Sequence, residues 1–298
     1  MNWLGIFFAV GLFLCGVVPA TSGAVEPCRV LFFSKSSGYE HDVIRWNKAR
    51  TSHAETVIAQ LAKKYNWTVT FSKDGRLFTE EQIDQFDTIV FYTTGDLTRE
   101  GNDGFPPMPA GGKAVLLAAI AAGKGFVGIH CASDTFHSPG NEDIGPARFR
   151  NDGASTDRFI QMLGGEFIKH GRQQHGRLIC VDRTFPGMEQ VPEPFAPFEE
   201  WYSLKNFASD LHVIQVQETR GMKGREYDRP PYPATWARLH GEGRVFYSSM
   251  GHRQDIWTNP AFQSVLAGGV NWASRLVDAD VTPNLQSVTP HAHVLPKP

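Results

Sequence analysis

Histidines and acids recur in this sequence where apolar runs give way to polar loops. His41 and Asp42 follow one such run, His130 and Asp134 close another, Glu199 and Glu200 follow a proline-rich stretch, and His252 and Asp255 follow a further run. Two or three imidazoles with one or two carboxylates form a donor set for Zn²⁺, Mn²⁺ or Fe²⁺, because neutral imidazole and carboxylate both match borderline divalent ions. An ion so held polarises a carbonyl or activates water. The spacing carries no metal motif of its own, since there is neither an HExxH nor a paired CxxC. A single histidine is more often a hydrogen-bonded structural residue than a ligand, so the case rests on the shared position of the group.

That position depends on the elements around it. Arg29 to Ser34 is a short continuous apolar run of the kind that forms a strand buried on both faces. Apolar residues at helical spacing from Trp46 to Tyr65 predict the first covering helix. Trp67 to Phe71 alternates as a strand, Thr79 and Gln82 open a short helix through Ile83, and Thr88 to Thr93 is another buried strand. A helix over Lys113 to Ala122 precedes a fourth strand, Gly125 to His130. Later elements are a helix over 155–163, strands over 177–181, 211–217, 234–239 and 244–249, and a final helix capped by Asn259-Pro260 and running through Arg275. Strand and helix alternating at these spacings predict an α/β fold, flavodoxin-like, with a parallel sheet covered by helices on both faces. Ligands in such sheets bind beyond the carboxyl ends of the strands. The histidine loops would therefore converge on one rim.

The same residues admit other chemistry. Gly128 to Ser133 has the strand-to-turn look of a nucleophile elbow, with His130 at the elbow itself and Cys131 one place on. A cysteine hydrolase using Cys131 is thus an alternative, though no histidine is tied to that thiol by sequence. No GxGxxG opens a helix after the first strand, so no nucleotide cofactor is expected. Among Trp201, Tyr202, Trp236 and Trp257, Trp236 is the candidate wall for a sugar ring, against the plainer reading of a core indole. His170 and His175 form a second pair, with His175 read as a solvated loop residue and His170 left open. His53 belongs to the first helix, and His291 and His293 lie in a tail.

The 298 residues carry 29 basic and 31 acidic side chains with a formal net charge of −2. Neither a nucleic-acid footprint nor a polybasic membrane patch is supported, and a small ligand fits better. Residues 1–24 read as a signal peptide, a glycine-broken apolar run ending in small residues, with cleavage after Ala24. The chain is then expected to be exported, periplasmic or extracellular, with no stable membrane insertion after cleavage. Residues 25–278 form one α/β domain and 279–298 an irregular tail. Export permits disulfides, and Cys28 and Cys180 sit at strand boundaries where they could pair or remain buried thiols. The oligomeric state is not legible.

Several blocks together carry a family resemblance: Phe33-Ser34-Lys35 through Gly38 to His41, Gly125 to Asp134 (GFVGIHCASD), Gly164 to Phe167 with His170, Glu199 to Tyr202, and Pro233 to His252 (PATWARLHGEGRVFYSSMGH). The chain is similar to the ThuA-like, or trehalose-utilisation, family over nearly all of Arg29 to Arg275. The resemblance implies a class I glutamine amidotransferase-like fold and a place in sugar catabolism. Amidotransferase chemistry is not implied, because His130 stands where the cysteine nucleophile would be. His41, His130, Glu200 and His252 carry over as the site, with Asp134 and His170 next. The family's usual Asp-Glu is Glu199-Glu200 here, and a frequent His-Pro is Phe185-Pro186. The expected roles are metal ligand, with zinc the first choice, for His41, His130 and His252, and general acid or base for Glu200, with Asp134 orienting a histidine. Tyr39, His170 and Trp236 are expected on the substrate side, facing a small carbohydrate in a hydrolase, lyase or isomerase. The alternative is a non-catalytic sugar-binding or accessory protein on the same scaffold.

Overall fold

The structure is a computed structural model that describes Met1, residues 26–143 and residues 145–298. The expected signal segment, beyond Met1, lies outside the described residues. Among them, no helix is long and apolar enough to cross a membrane.

In chain order the elements are β1 (Cys28–Phe33), α1 (His53–Tyr65), β2 (Trp67–Ser72), α2 (Glu80–Ile83), β3 (Thr88–Phe91), α3 (Gly112–Ala121) and β4 (Gly125–Ile129). There follow α4 (Arg158–Leu163), β5 (Glu166–His170), β6 (Gln174–His175), β7 (Leu178–Cys180), β8 (Phe198–Glu199) and β9 (Tyr202–Lys205). The chain ends with β10 (His212–Gln217), β11 (Tyr232–His240), β12 (Gly243–Ser248), α5 (Gln254–Trp257), α6 (Pro260–Ala273) and α7 (Leu285–Val288). Local signals set several of these starts. Ser52 and Glu55 exchange side-chain and backbone bonds as a capping box, so α1 begins at His53 and not at Trp46. Thr79 caps α2, and Asn259 caps α6 with Pro260 in its first turn.

The main sheet runs β2-β1-β3-β4-β12-β11-β10-β7. Its first five strands are parallel, in the 2-1-3-4-5 order of flavodoxin-like sheets. The other half departs from the parallel expectation, because β12-β11, β11-β10 and β10-β7 are antiparallel. The cause at the centre is length: only Gly241-Glu242 separates β11 from β12. Parallel neighbours need a crossover of about a dozen residues or more. Gly241 takes φ +59° in that turn, a conformation glycine adopts without strain.

Alternation along β1 shows the two covered faces. Phe33 packs on Phe78 and Phe91, and Phe91 on Phe159 of α4, whereas Phe32 packs on Trp257 of α5. Helices α1, α5 and α6 contact one another, as do α2 with α3 and α3 with α4. Each such phenylalanine, fully buried, contributes on the order of 1.5–3 kcal/mol of burial free energy. Two short ribbons, β5-β9 and β6-β8, were not foreseen from the sequence.

The structure decides the open Cys28–Cys180 alternative and adds to the reading of the tail. Cys28 and Cys180 are free and sit on strands six places apart in the sheet, roughly 29 Å at ordinary strand spacing, far beyond disulfide reach. The segment after 278 is mostly without regular structure, but it is docked. Asn284 accepts from Val213 N (2.6 Å) and donates to Val213 O (3.0 Å), Leu285 and Ala292 are buried, and Arg229 donates to Ala292 O at 2.6 Å.

Candidate metal centre

Four neighbouring parallel strands, β1, β3, β4 and β12, send their following residues to one rim. His41 lies beyond β1, Tyr92 directly follows β3, His130 directly follows β4, and His252 lies beyond β12. Glu200, next to β8, reaches the same point. One ligand atom from each of His41, His130, Glu200 and His252 lies within 4.8 Å of all the others. The first three side chains are buried and His252 is nearly so.

The backbone at His130 is an elbow. Ile129 is extended, His130 takes φ +46°, and a 3₁₀ turn over His130–Asp134 follows. Left-handed backbone is uncommon outside glycine and asparagine, and here Tyr247 Oη (2.7 Å) and Ser133 Oγ (3.2 Å) both donate to the His130 carbonyl. The parallel register pairs Ile129 with Ser248, which brings His130 beside Ser249. His130 Nδ1 donates to the Ser249 carbonyl at 2.8 Å. Because a carbonyl only accepts, Nδ1 carries the proton, which leaves Nε2 as the nitrogen whose lone pair can be presented to the cluster.

That lone pair has no hydrogen-bond partner, and neither do Nδ1 of His41 and Nδ1 of His252. Glu200 Oε2 stands 3.0 Å from His252 Nδ1 and 3.7 Å from His130 Nε2, close to both without hydrogen-bond alignment to either. Buried nitrogens without a partner cost free energy unless a bound group satisfies them. Burial, then the neighbouring His130 and His252, hold the His41 imidazole well below its ordinary pKa, so it stays neutral. Burial also opposes charge on Glu200 and His252, but the neighbouring His130 and His252 outweigh it and hold Glu200 well below the usual carboxylate range, and Glu200 in turn raises His252. Ionised carboxylate and neutral imidazole are the forms that ligate a divalent cation, so a bound ion would displace the proton that Glu200 favours on His252.

His170, on β5, joins the group from outside. Its Nδ1 is 3.2 Å from Glu200 Oε1, and its side chain is 43% exposed. Tyr39 is 63% exposed and meets His41 edge-on with ring centroids 5.0 Å apart. With Asp42, Gln173, His252, Arg253 and Asp255 it lines a polar cleft of about 380 Å³. Tyr202 packs its ring 4.1 Å from that of His130 and places its hydroxyl 3.5 Å from His41 Nε2. Tyr92 donates to Gly251 O at 3.0 Å. The chemical part of Tyr92 was hidden within an apolar run, although its place one residue past a strand end was a usable signal.

Two expected site residues belong elsewhere. Trp236 is fully buried, donates to Leu163 O at 2.8 Å and stacks on Tyr247 at 4.3 Å. Its indole is core and walls no ligand. Asp134 orients a histidine, but one outside the cluster: its Oδ1 is 2.7 Å from His137 Nε2 and 3.4 Å from Arg148 Nη1. Cys131 is fully buried and burial pushes its thiol far up, which removes support for a cysteine nucleophile. His175 is exposed, as expected, with Nδ1 on Ala196 O.

His137 gives a pH prediction. Glu166 Oε1 lies 3.2 Å from its Nδ1 and Asp134 from its Nε2, while Arg148 stands 3.0 Å from Nε2. Burial lowers its pKa, yet the two carboxylates outweigh that and the net shift is upward. A raised folded pKa means that the stabilisation is fully present below the unfolded value, about 6.5, and is lost as pH rises through the folded value. The parent is therefore expected to lose unfolding free energy above about pH 6.5, and His137→Gln should flatten that loss. An NMR titration placing His137 below 6.5 would refute the assignment.

The family model described as ThuA, trehalose utilisation, matches residues 29–273. Among solved structures, a ThuA-like protein from Bacteroides uniformis is similar with a TM-score of 0.60 and 17% identity, over 86% of this chain and 95% of its own. Another from Parabacteroides merdae has a TM-score of 0.54 and 18% identity, over 86% and 93% respectively. At such identities the likeness is one of fold. No curated protein matches the chain. The match across nearly the whole sheet-bearing region places the chain in the ThuA, or trehalose utilisation, family.

Proposed function

We propose that this chain is an exported, metal-dependent enzyme that acts on a sugar or an oxidised sugar by hydrolysis, elimination or isomerisation at a carbonyl-bearing ring. The observation that carries the reading is the convergence of one ligand atom each from His41, His130, Glu200 and His252 within 4.8 Å of one another, with a buried ring nitrogen on each of the three histidines lacking a hydrogen-bond partner. Those residues would hold a divalent cation, zinc first. Such an ion supplies Lewis acidity toward a carbonyl or an activated water. The family description supports a carbohydrate, and the apolar leader supports export.

Glu200 serves as the general base. Its Oε2 faces His252 and His130 while Oε1 turns to His170, and its neighbours keep it in the ionised form that accepts a proton, at a cost in basicity. Tyr39 offers an aromatic face at the mouth, and Gln173, Asp42 and Asp255 supply donors and acceptors for hydroxyls. Glu200→Gln in the zinc-loaded protein, assayed by NMR against a panel of sugars and oxidised sugars, should reduce kcat about 10²- to 10⁴-fold. Saturable sugar binding with no product from the parent protein would instead identify a non-catalytic binding protein.

A further inference from the structure

The Glu199 carboxylate is fully buried, yet it touches none of the ring nitrogens. All of its bonds go to backbone. Oε1 accepts from Glu200 N at 2.7 Å, and Oε2 accepts from both Gly251 N (2.9 Å) and His252 N (3.1 Å). One side chain thus fixes the peptide carrying Glu200 and the two peptides leading into His252, from segments 52 residues apart. The opposite edge of the same turn is held as well, because Tyr92 Oη (3.0 Å) and Trp257 Nε1 (2.7 Å) both donate to Gly251 O. Gly251 takes φ +128° there, and a Cβ on it would stand 3.0 Å from Ile129 and 3.6 Å from the Cβ of His130. The turn is therefore pressed against the elbow that presents His130.

We propose that Glu199 is a positioning residue for the metal centre: its carboxylate, with Tyr92 across the same turn, holds Glu200 and His252 in ligating register against His130. The inference rests on the metal-centre reading above and adds to it a residue that touches no ligand. A carboxylate is needed because three N–H donors converge on it, and an amide in its place turns an NH₂ toward at least one of them. Outer partners that orient ligands are typically worth about 10- to 100-fold in metal affinity.

The test uses the full chain stripped of metal and titrated with Zn²⁺ against a chromophoric chelator, with Co²⁺ substitution as the spectroscopic readout. Glu199→Gln should weaken Zn²⁺ binding about 10- to 100-fold and alter the Co²⁺ visible spectrum, while Glu199→Asp, which keeps the carboxylate, recovers part of the loss. Tyr92→Phe removes a single hydroxyl and is the fold-safe companion, expected to cost about fivefold. Folded Glu199→Gln protein with parental affinity and an unchanged Co²⁺ spectrum would overturn the inference alone. Should that variant not fold, parental affinity and spectrum in Tyr92→Phe overturn it equally. A parent protein that binds neither ion overturns this inference and the metal-centre reading together.

Discussion

His130→Asn is expected to lower Zn²⁺ affinity by about 100-fold or more while the metal-free protein keeps its fold. The magnitude follows from dividing a typical structural zinc binding free energy, on the order of 10–16 kcal/mol, among four ligands. Asparagine is the informative replacement because position 130 sits at φ +46°, which asparagine tolerates far better than alanine does. Its amide can also donate to the Ser249 carbonyl in place of Nδ1, so the elbow survives and only the Nε2 lone pair is lost. Chelator competition together with thermal unfolding of the metal-free forms separates the two effects. Unchanged Zn²⁺ affinity in a folded variant would remove His130 from the ligand set.

Trp236→Ala should do the reverse, costing about 3–5 kcal/mol of stability and leaving Zn²⁺ affinity unaltered. The indole is enclosed by Tyr247, Phe207 and the α4 terminus, and its removal opens a cavity those neighbours cannot close. For a chain of this size a fall of about 10 °C in Tm is expected. A variant with parental Tm that had lost sugar binding would restore Trp236 to the ligand wall.

His130 and Trp236 differ in how far a sequence pattern can place them. His41, His130 and His252 follow continuous apolar runs that could only be buried strands, and in a sheet of this class the carboxyl ends share one rim. Their convergence followed from topology. Trp236 lies in a strand too, but whether a large aromatic faces a ligand or the core depends on what α4 does across the sheet, which no local pattern records. Asp134 was placed correctly at a strand end, yet its partner His137 is held by Glu166 from β5, and β5 itself was missed. The short ribbons are hard to read because β6 and β8 are only two residues long, and because in β5 and β9 buried polar residues interrupt the apolar ones: Glu166 precedes Phe167 and Ile168, and Ser203 and Lys205 flank Leu204. Lys205 in β9 is fully buried and satisfied by Asp152 at 2.7 Å, and Glu166 in β5 by Ser138, His137 and Asn206. Strands that bury paired charges lack the apolar signature by which strands are read. The antiparallel half is legible only through the short gap between the strands read over 234–239 and 244–249, too short for a crossover.

Crystallography of zinc-soaked protein with anomalous scattering tests the metal centre most directly. The expected result is a single anomalous peak at about 2.0–2.2 Å from one ring nitrogen each of His41, His130 and His252 and within reach of Glu200. A well-ordered site with no peak at that position, in crystals soaked at saturating zinc, would contradict it.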